Sequence, residues 1–162
     1  MASSRTRLKS YLDEERVSYH DIPHETQYTS QETAANTHTP GRKFVKTVVV
    51  RYQGHFAFVV LPAHHRLDLA KLRTALDVSE VALATEDEMK RLIPDAEVGA
   101  EPPFGNLYRL PVFSSSALSQ DDWITFNAGT HRDAIRMRYP DFVRLVQPSE
   151  LPTSAEDCGS DA

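Results

Sequence analysis

The sequence has few of the residues on which disulfide-rich, zinc-binding and membrane proteins depend. It contains a single cysteine, Cys158, which excludes an internal disulfide and a zinc-thiolate cluster. No apolar run approaches the roughly 18 residues that a membrane span needs. The first residues lack the basic and then apolar layout of a signal peptide. We therefore expect a cytoplasmic protein with no membrane partner.

The common motifs of nucleotide-binding and hydrolytic enzymes are also missing. No GxxxxGKS/T or GxGxxG pattern is present, which disfavours nucleotide triphosphatases and dinucleotide enzymes. The triplet Ser114-Ser115-Ser116 lacks the flanking glycines of a GxSxG serine hydrolase. The seven histidines form no HExxH pattern, and such scattered histidines are more typical of surface residues than of metal ligands. We expect neither a metal nor another cofactor.

The composition is that of an ordinary globular protein with an uneven charge distribution. The chain has 162 residues, 40% hydrophobic and 25% charged, which is enough for one domain with its own core. Of the net charge of −5, four negative charges follow Gln147, where no lysine or arginine occurs. The net charge argues weakly against an obvious nucleic-acid binder, although the remainder of the chain is nearly neutral, and we expect no DNA partner. We predict a folded domain over 1–147 and a disordered acidic tail over 148–162, which is rich in Pro, Ser and Gly.

The most strand-like stretch runs from Arg42 to Val50 and follows a Pro-Gly break. Alternation places Phe44, Lys46 and Val48 on one face, and both faces are mostly apolar, so we predict a strand that is covered on both sides. Lys46 is the exception, because burying an unpaired charge is costly. Two interpretations stay open for this lysine. It either extends along the strand to reach solvent or holds an anion at the mouth of a pocket.

Apolar periodicity and turn residues predict about seven strands interrupted by short helices. Gln53-Gly54 predicts a hairpin turn, and Gly129-Thr130-His131 predicts a second tight turn. The predicted helices are Arg5–Glu15, a start at Ser30–Ala35, Leu67–Leu76, Thr85–Leu92 with a capping box, and Tyr139–Val146. The expected fold class is α+β, with a mixed, mainly antiparallel, barrel-like sheet surrounded by short helices.

Two glycine-containing loops are the remaining candidates for chemistry. One runs from Gly99 to Gly105 and includes Pro103, and the other is the turn at Gly129, Thr130 and His131. Glycine lets backbone N–H groups approach an anion or a carbonyl oxygen. Taken alone, each loop is better explained as an ordinary turn.

Several motifs in order resemble those of the YbaK/ProX family, the free-standing relatives of the editing domain inserted in bacterial prolyl-tRNA synthetases. They are a T-x-x-E-x-A helix, the strand V-K-T-V-V-V, L-D-L-x-K-L, G-x-x-x-P-x-G and the turn A-G-T-H. The resemblance runs from about Thr6 to Val146. It implies a mixed α/β fold with a barrel-like sheet, and hydrolysis of the ester that links a wrong amino acid to the terminal adenosine of a tRNA.

The resemblance also implies a site. Lys46 matches the strand lysine that the family assigns to the 3′-end phosphate, and the loop backbone would stabilise the developing oxyanion. His131 would orient a substrate hydroxyl or amino group. The matched positions in the aminoacyl pocket are Gly99, Pro103, Gly105, Gly129, Thr130, His131, Thr26 and Tyr28. The sequence departs from the family at Ala100, where some members have glycine, and at Ala134, where some have aspartate.

Three functions therefore remain. The first is trans-editing of mischarged tRNA, for example alanyl-, cysteinyl- or seryl-tRNA, with the tRNA 3′ end as partner and an aminoacyl-tRNA synthetase as a further candidate. The second is a non-catalytic module that binds a tRNA end, an amino acid or a synthetase, with Ala100 and Ala134 marking lost catalysis. The third is a structural protein that keeps only the fold.

Overall fold

The computed structural model describes residues 3–23, 44–120 and 123–156, and structural statements below concern this part of the chain. Its α-helices are α1 (Ser4–Glu14), α2 (Leu69–Leu76), α3 (Glu86–Leu92) and α4 (Tyr139–Val146). Its strands are β1 (Tyr19–Pro23), β2 (Val45–Tyr52), β3 (His55–Pro62), β4 (His65–Leu67), β5 (Ala82–Leu83), β6 (Val112–Ser115), β7 (Trp123–Asn127), β8 (Asp133–Arg138), β9 (Ser149–Leu151) and β10 (Ser154–Glu156). Two short 3₁₀ helices span Gly105–Tyr108 and Ser116–Gln120.

The described strands form three sheets, with the orders β5-β2-β3-β6-β9, β1-β8-β7 and β10-β4. Most pairs are antiparallel, but β3–β6 and β6–β9 are parallel. Phe44 links the two larger sheets through a parallel bridge to Thr125. The predicted α+β class with a mixed, mainly antiparallel arrangement is confirmed. The described strands divide among three sheets and do not close into a single barrel.

Strands β2 and β3 form the predicted hairpin, in register from Val45–Pro62 to Tyr52–His55. Both turn residues have positive φ, 49° at Gln53 and 78° at Gly54. Positive φ at both central positions is the geometry that fits the right-handed twist of a two-residue hairpin. The Gln-Gly turn therefore sets the register of the strand that carries Lys46.

Both faces of this hairpin are buried, as the mostly apolar residues on both faces of the predicted strand indicate. One face packs into the main core beside Leu8 and Leu12 of α1 and beside the rings of Phe104, Phe126 and Phe142. The other face packs against Leu72 of α2. The residues that contribute to the main core are Val45, Val49, Phe58 and Val60, and those on the opposite face are Val50, Ala57, Val59 and Leu61. The two larger apolar cores of the described part therefore lie on the two faces of the β2–β3 hairpin.

Helix α3 begins with the predicted capping box. The Glu88 N–H donates to Thr85 Oγ1 at 3.1 Å, and the Thr85 N–H donates to Glu88 Oε1 at 2.8 Å. Arg51 of β2 also binds the Glu88 carboxylate, at 2.9 Å. These contacts hold the start of α3 against the hairpin, and the chain leaves its end toward residues 97–105.

The prediction of a disordered tail from residue 148 is wrong for residues 149–156. β9 pairs in parallel with β6, and β10 pairs antiparallel with β4. Between them, Thr153 is fully buried and its carbonyl accepts a 2.9 Å hydrogen bond from the Asp68 N–H. Backbone pairing against an existing sheet edge needs no apolar periodicity, so the composition did not reveal it. Residues 157–162 lie outside the described part.

Other element boundaries also differ from the sequence prediction. The residue pattern over 107–113 predicts a strand, but β6 lies at 112–115, because Gly105–Tyr108 forms a 3₁₀ helix and Arg109 has φ 58°. The pattern over 123–131 predicts a strand that runs into the tight turn, and the observed strand β7 ends at Asn127. The helix start at Ser30–Ala35 lies outside the described residues. Within the described ranges, no helix combines the length and the apolar character needed to cross a bilayer.

Candidate functional site

The two loops singled out from the sequence lie against each other. We call residues 97–105 the glycine loop and residues 128–132, between β7 and β8, the β7–β8 turn. The Glu97 N–H donates to the Gly129 carbonyl at 2.8 Å, and the Gly129 N–H donates to the Ala100 carbonyl at 2.9 Å. This exchange brings together two segments that are distant in sequence, as the resemblance implied.

His131 fastens the turn to the loop through both its backbone and its ring. It is 7% exposed, and its N–H donates to Glu97 Oε1 at 2.7 Å. Its Nε2 lies 2.9 Å from the Val98 carbonyl oxygen. A carbonyl oxygen only accepts, so Nε2 carries a proton in this contact, and in a neutral ring Nδ1 is then the acceptor nitrogen. Nε2 is therefore engaged in holding the loop.

Gly99 occupies a conformation that favours glycine, with φ +87°. A Cβ placed on it would lie 3.4 Å from Cε1 of His131, at van der Waals distance, so the residue faces the imidazole. Its N–H donates to Oε2 of Glu101 at 2.6 Å. The positive φ turns this N–H back toward a carboxylate two residues further along the chain.

Glu101 is a buried carboxyl that the sequence analysis did not select. It is 4% exposed, and this burial raises the pKa of the Glu101 carboxyl to about 7. Hydrogen bonds from loop N–H groups, that of Gly99 first, and the charge of His131 act in the opposite direction. A carboxyl with a pKa near neutrality can exchange protons at physiological pH and is a candidate for acid–base work. The available signal was a charged residue inside a Gly- and Pro-rich loop.

The first N–H groups of the glycine loop already have acceptors in this structure. Gly99 donates to Glu101, and the Ala100 N–H donates to the Glu97 carbonyl at 3.0 Å. The resemblance implied that the loop backbone faces the aminoacyl ester. At Gly99 the anion that receives the N–H is the protein's own side chain.

The end of the glycine loop is anchored in the core. Pro103 is buried, and Phe104 packs its ring 5.7 Å from that of Phe126 and 5.5 Å from that of Phe142. A Cβ on Gly105 would lie 2.6 Å from the Leu110 carbonyl oxygen. Gly105 is therefore required by close backbone packing, and Phe104 positions the loop.

The β7–β8 turn is held by α1 and by a local hydrogen-bond network. Gly129 has φ +93°, and a Cβ on it would lie 2.8 Å from Cβ of Ser4. The Thr130 hydroxyl donates to Oδ2 of Asp133 at 2.7 Å and accepts from the Arg132 N–H at 3.1 Å. Thr130 thus stabilises the turn itself.

Lys46 lies on a separate element from the loop pair. It is half-buried on β2, opposite Leu61, and shares a strand face with Phe44 and Val48. Toward one end, Phe44 packs on the fully buried Ala134 at the start of β8. Phe44 and Ala134 therefore connect the strand of Lys46 with β8, which directly follows the β7–β8 turn.

Toward the other end of that face, Val48 lines a cavity of about 190 Å³. Arg66 and the apolar residues Leu67, Leu69 and Leu83 complete the lining. Lys46 therefore lies between this cavity and the Phe44 contact. Thr26 and Tyr28, the predicted contributors to the amino-acid pocket, lie outside the described residues.

A family model described as the aminoacyl-tRNA editing domain matches residues 24–145. The chain belongs to this family. The match includes Lys46, the glycine loop and the β7–β8 turn of the editing domain, and it confirms the resemblance to relatives of the prolyl-tRNA synthetase editing domain.

Curated relatives of the editing domain are larger proteins. A proline–tRNA ligase of Staphylococcus epidermidis is 33% identical over 133 residues, which cover 76% of this chain and 23% of the ligase. A proline–tRNA ligase of Macrococcus caseolyticus is 23% identical over 161 residues, which cover 84% of this chain and 28% of the ligase. The chain thus spans about a quarter of the length of these curated relatives.

A solved structure of a protein proposed to be a trans-editing enzyme for prolyl-tRNA synthetase superposes on the editing domain with a TM-score of 0.81 at 20% identity. The superposition covers 96% of this chain and 99% of that one. At this identity the likeness concerns the fold, and it agrees with the α+β arrangement described above.

Proposed function

We propose that this editing domain hydrolyses the ester bond of mischarged aminoacyl-tRNA in trans, with alanyl-, cysteinyl- and seryl-tRNA as the first candidate substrates. The observation that carries the proposal is the family match over residues 24–145, which includes all three parts of the candidate site. Water adds to the ester carbonyl, the bond to the ribose oxygen breaks, and a free amino acid and an uncharged tRNA result. We expect this reaction in the cytoplasm, where aminoacyl-tRNAs are used.

A second hydrolytic site makes chemical sense for these amino acids. Synthetases discriminate poorly by binding alone against an amino acid that is smaller than, or nearly isosteric with, the correct one. A separate pocket that admits only the wrong amino acid supplies the missing selectivity. An aminoacyl-tRNA synthetase is therefore a candidate partner alongside the tRNA 3′ end.

In this mechanism Lys46 binds the phosphate of the terminal adenosine. A half-buried ammonium on a strand with apolar neighbours gains a charge-assisted hydrogen bond from such an anion. The phosphate contact fixes the ester by proximity, so catalysis does not need a protein nucleophile. This role corresponds to the second of the two interpretations of Lys46.

The glycine loop and the β7–β8 turn line the aminoacyl end. The Gly99 N–H donates to the developing oxyanion once the Glu101 side chain gives up its 2.6 Å contact. His131 keeps the turn and loop in register and orients a substrate hydroxyl or amino group. The remaining residues that we assign to substrate binding are Pro103, Gly105, Gly129, Thr130, Thr26 and Tyr28.

A non-catalytic binding module is the second candidate, and one observation favours it. Because Glu101 occupies the Gly99 N–H, the loop as described offers that donor to no substrate. The fully buried Ala100 and Ala134, which replace residues found in some family members, fit the same idea. Such a module binds a tRNA end or a synthetase without hydrolysing the ester.

Deacylation of a panel of alanyl-, cysteinyl- and seryl-tRNA with the proline anticodon decides between the two. We expect rapid hydrolysis of one substrate by the wild type and, since a hydrogen bond to a charged group contributes about 1.5–3 kcal/mol, a roughly 10- to 150-fold decrease in kcat/KM for Lys46→Ala. Lys90→Ala, which changes an exposed lysine of α3, is the matched control and should keep full activity. A folded wild type that binds these tRNAs and hydrolyses none would favour the binding module.

A further inference from the structure

The three-stranded sheet has one face in the core and one that carries basic and aromatic residues. Ile124, Phe126, Ile135 and Met137 are turned to the core. The opposite face, read from the registers of β1, β8 and β7, consists of His20, Ile22, Trp123, Thr125, Asn127, Ala134, Arg136 and Arg138. None of these eight ladder positions is acidic, although the chain as a whole carries a net charge of −5.

One half of that face is open. Phe44 covers the end at Ile22 and Ala134. At the other end, His20 and Arg138 are exposed, and Trp123 and Arg136 are partly exposed. We call these four residues, His20, Trp123, Arg136 and Arg138, the basic aromatic face.

The side chains of the basic aromatic face lie close together. Trp123 is the direct cross-strand partner of Arg138, and His20 is that of Arg136. The rings of His20 and Trp123 approach with their centroids 6.1 Å apart and an interplanar angle of 38°. Arg136 is oriented by a 3.1 Å hydrogen bond from its Nε to Thr125 Oγ1. Two rings and two guanidinium groups thus share one surface.

The two acidic residues of the described three-stranded sheet, Asp21 and Asp133, lie on its other side and are paired there. Asp21 of β1 is paired with Lys9 and Arg5 of α1, and Asp133 of β8 is paired with the same Arg5. Their charges are largely compensated by α1. Within the described strands, these two carboxylates therefore do not offset the arginines of the basic aromatic face.

This face continues toward Lys46. Phe44 bridges to Thr125 and packs on Ala134. Lys46 follows two residues later on the same side of its strand, which is about 7 Å along β2 at the usual rise per residue. Cationic groups therefore occur on both sides of Phe44.

We propose that the basic aromatic face binds the single-stranded 3′ end of tRNA, at the nucleotides that precede the terminal adenosine. Single-stranded RNA alternates flat bases with phosphates, and proteins bind it by stacking bases on aromatic rings and pairing phosphates with arginine. Paired A-form RNA keeps its base faces stacked, so it offers a ring such as Trp123 nothing to stack on. The proposal rests on the proposed function in taking tRNA as the occupant.

Direct binding tests this surface independently of hydrolysis. Trp123 is the single tryptophan of the chain, so its fluorescence reports stacking without a label. We expect saturable quenching by uncharged tRNA and by a short single-stranded oligoribonucleotide of its 3′-end sequence, and none by blunt duplex RNA. Arg138→Ala should weaken binding and lower the slope of log affinity against log salt by about 1. Arg73→Ala, on the exposed side of α2, should change neither quantity.

Labelled RNA extends the test to Trp123 itself. Because stacking of one base on an aromatic ring contributes about 1–3 kcal/mol, Trp123→Ala should weaken binding of the labelled oligonucleotide by roughly 5- to 150-fold. Trp123→Phe, which retains a stacking ring and the fold, should recover most of the affinity. Equal affinity of wild type, Trp123→Ala and Arg138→Ala for this oligonucleotide would overturn the proposal.

Hydrolysis provides a separate readout. Arg138→Ala should raise KM for aminoacyl-tRNA while leaving kcat unchanged, and it should not affect hydrolysis of a short aminoacyl-adenosine ester. Quenching by RNA with no hydrolysis of any substrate would overturn the enzymatic function and support the surface. Hydrolysis of aminoacyl-tRNA with no quenching and no effect of Arg138→Ala would support the enzyme and overturn the surface.

Discussion

Gly129 lies so close to Ser4 that a Cβ on Gly129 would be 2.8 Å from the Cβ of Ser4 and 3.2 Å from the backbone nitrogen of Arg5. The β7–β8 turn is thereby seated on the first turn of α1. The same turn binds the glycine loop through two hydrogen bonds, one donated by the Gly129 N–H and one accepted by the Gly129 carbonyl. One glycine therefore connects the helix, the turn and the loop of the candidate site.

Gly129→Ala should be strongly destabilising. Its φ of +93° is strained for alanine, at about 1–2 kcal/mol, and overpacking against α1 adds about 1–3 kcal/mol. Gly54→Ala is the matched control, because Gly54 has φ +78° with nothing within 4 Å of the added carbon. The free energy of unfolding from urea titration measures both. Equal losses for the two variants would contradict the packing argument.

Gly99→Ala should separate activity from stability. Its φ of +87° resembles that of Gly54, and its added carbon meets His131 only at van der Waals distance, so we expect a similar loss of about 1–2 kcal/mol in both variants. In Gly99→Ala, however, the strained residue is the one whose N–H donates to Glu101. Hydrolysis should decrease for Gly99→Ala and stay unchanged for Gly54→Ala when both are assayed well below their melting temperatures. If both variants keep full activity, catalysis does not depend on a glycine at this positive φ.

Glu101→Gln should flatten the pH dependence of stability. Burial raises the pKa of the Glu101 carboxyl from 4.5 to about 7, so between these values the folded state binds more protons than the unfolded state. Its contribution is therefore fully present below about pH 4.5 and is lost as the pH rises toward 7. The loss is on the order of 3 kcal/mol, since one pKa unit corresponds to about 1.4 kcal/mol.

Glutamine cannot ionise, yet its amide oxygen can still accept the Gly99 N–H. Unfolding free energies at pH 5 and pH 7.5 should therefore differ more for the wild type than for Glu101→Gln. The difference between the two proteins isolates Glu101 from the histidines that also titrate in this range. Parallel pH profiles would show that Glu101 does not titrate differently in the folded and unfolded states.

Tyr108→Phe should reduce stability without altering substrate selectivity. The Tyr108 hydroxyl lies 2.8 Å from Oγ of Ser4 and donates to Oδ1 of Asp95 at 2.9 Å, which ties α1 to the chain beside the glycine loop. We expect a loss of about 1–2 kcal/mol, because two partly buried hydrogen bonds disappear. Tyr11→Phe loses one exposed bond, from Asn106, and should cost less in a denaturant titration. The reverse order would contradict this account.

Local features of the fold could be predicted from the sequence, and non-local ones could not. The hairpin at Gln53-Gly54 and the capping box at Thr85 depend on residues that are neighbours in the chain. The parallel pairs that β6 makes with β3 and β9 join distant segments without a turn signal, and they were missed. The contact between the two glycine-containing loops was implied only through the family resemblance.

The candidate site shows the same division. Glu101 was not selected from the sequence, because its raised pKa comes from burial, which a single sequence does not reveal. Lys46 was noticed because a cation on an apolar strand conflicts with the local pattern. Its half-buried position fits both interpretations, so its phosphate-binding role stays a prediction, as do the roles of Thr26 and Tyr28.

The parallel pairing of β9 with β6 has a practical consequence for any shortened version of the chain. A strand at the edge of a sheet offers unpaired N–H and C=O groups to other molecules, which favours self-association. β9 covers the β6 side of the five-stranded sheet. A protein that ends at residue 147, the boundary that composition suggests, would leave the β6 edge without its partner strand. We therefore expect such a shortened protein to aggregate more readily than the full chain.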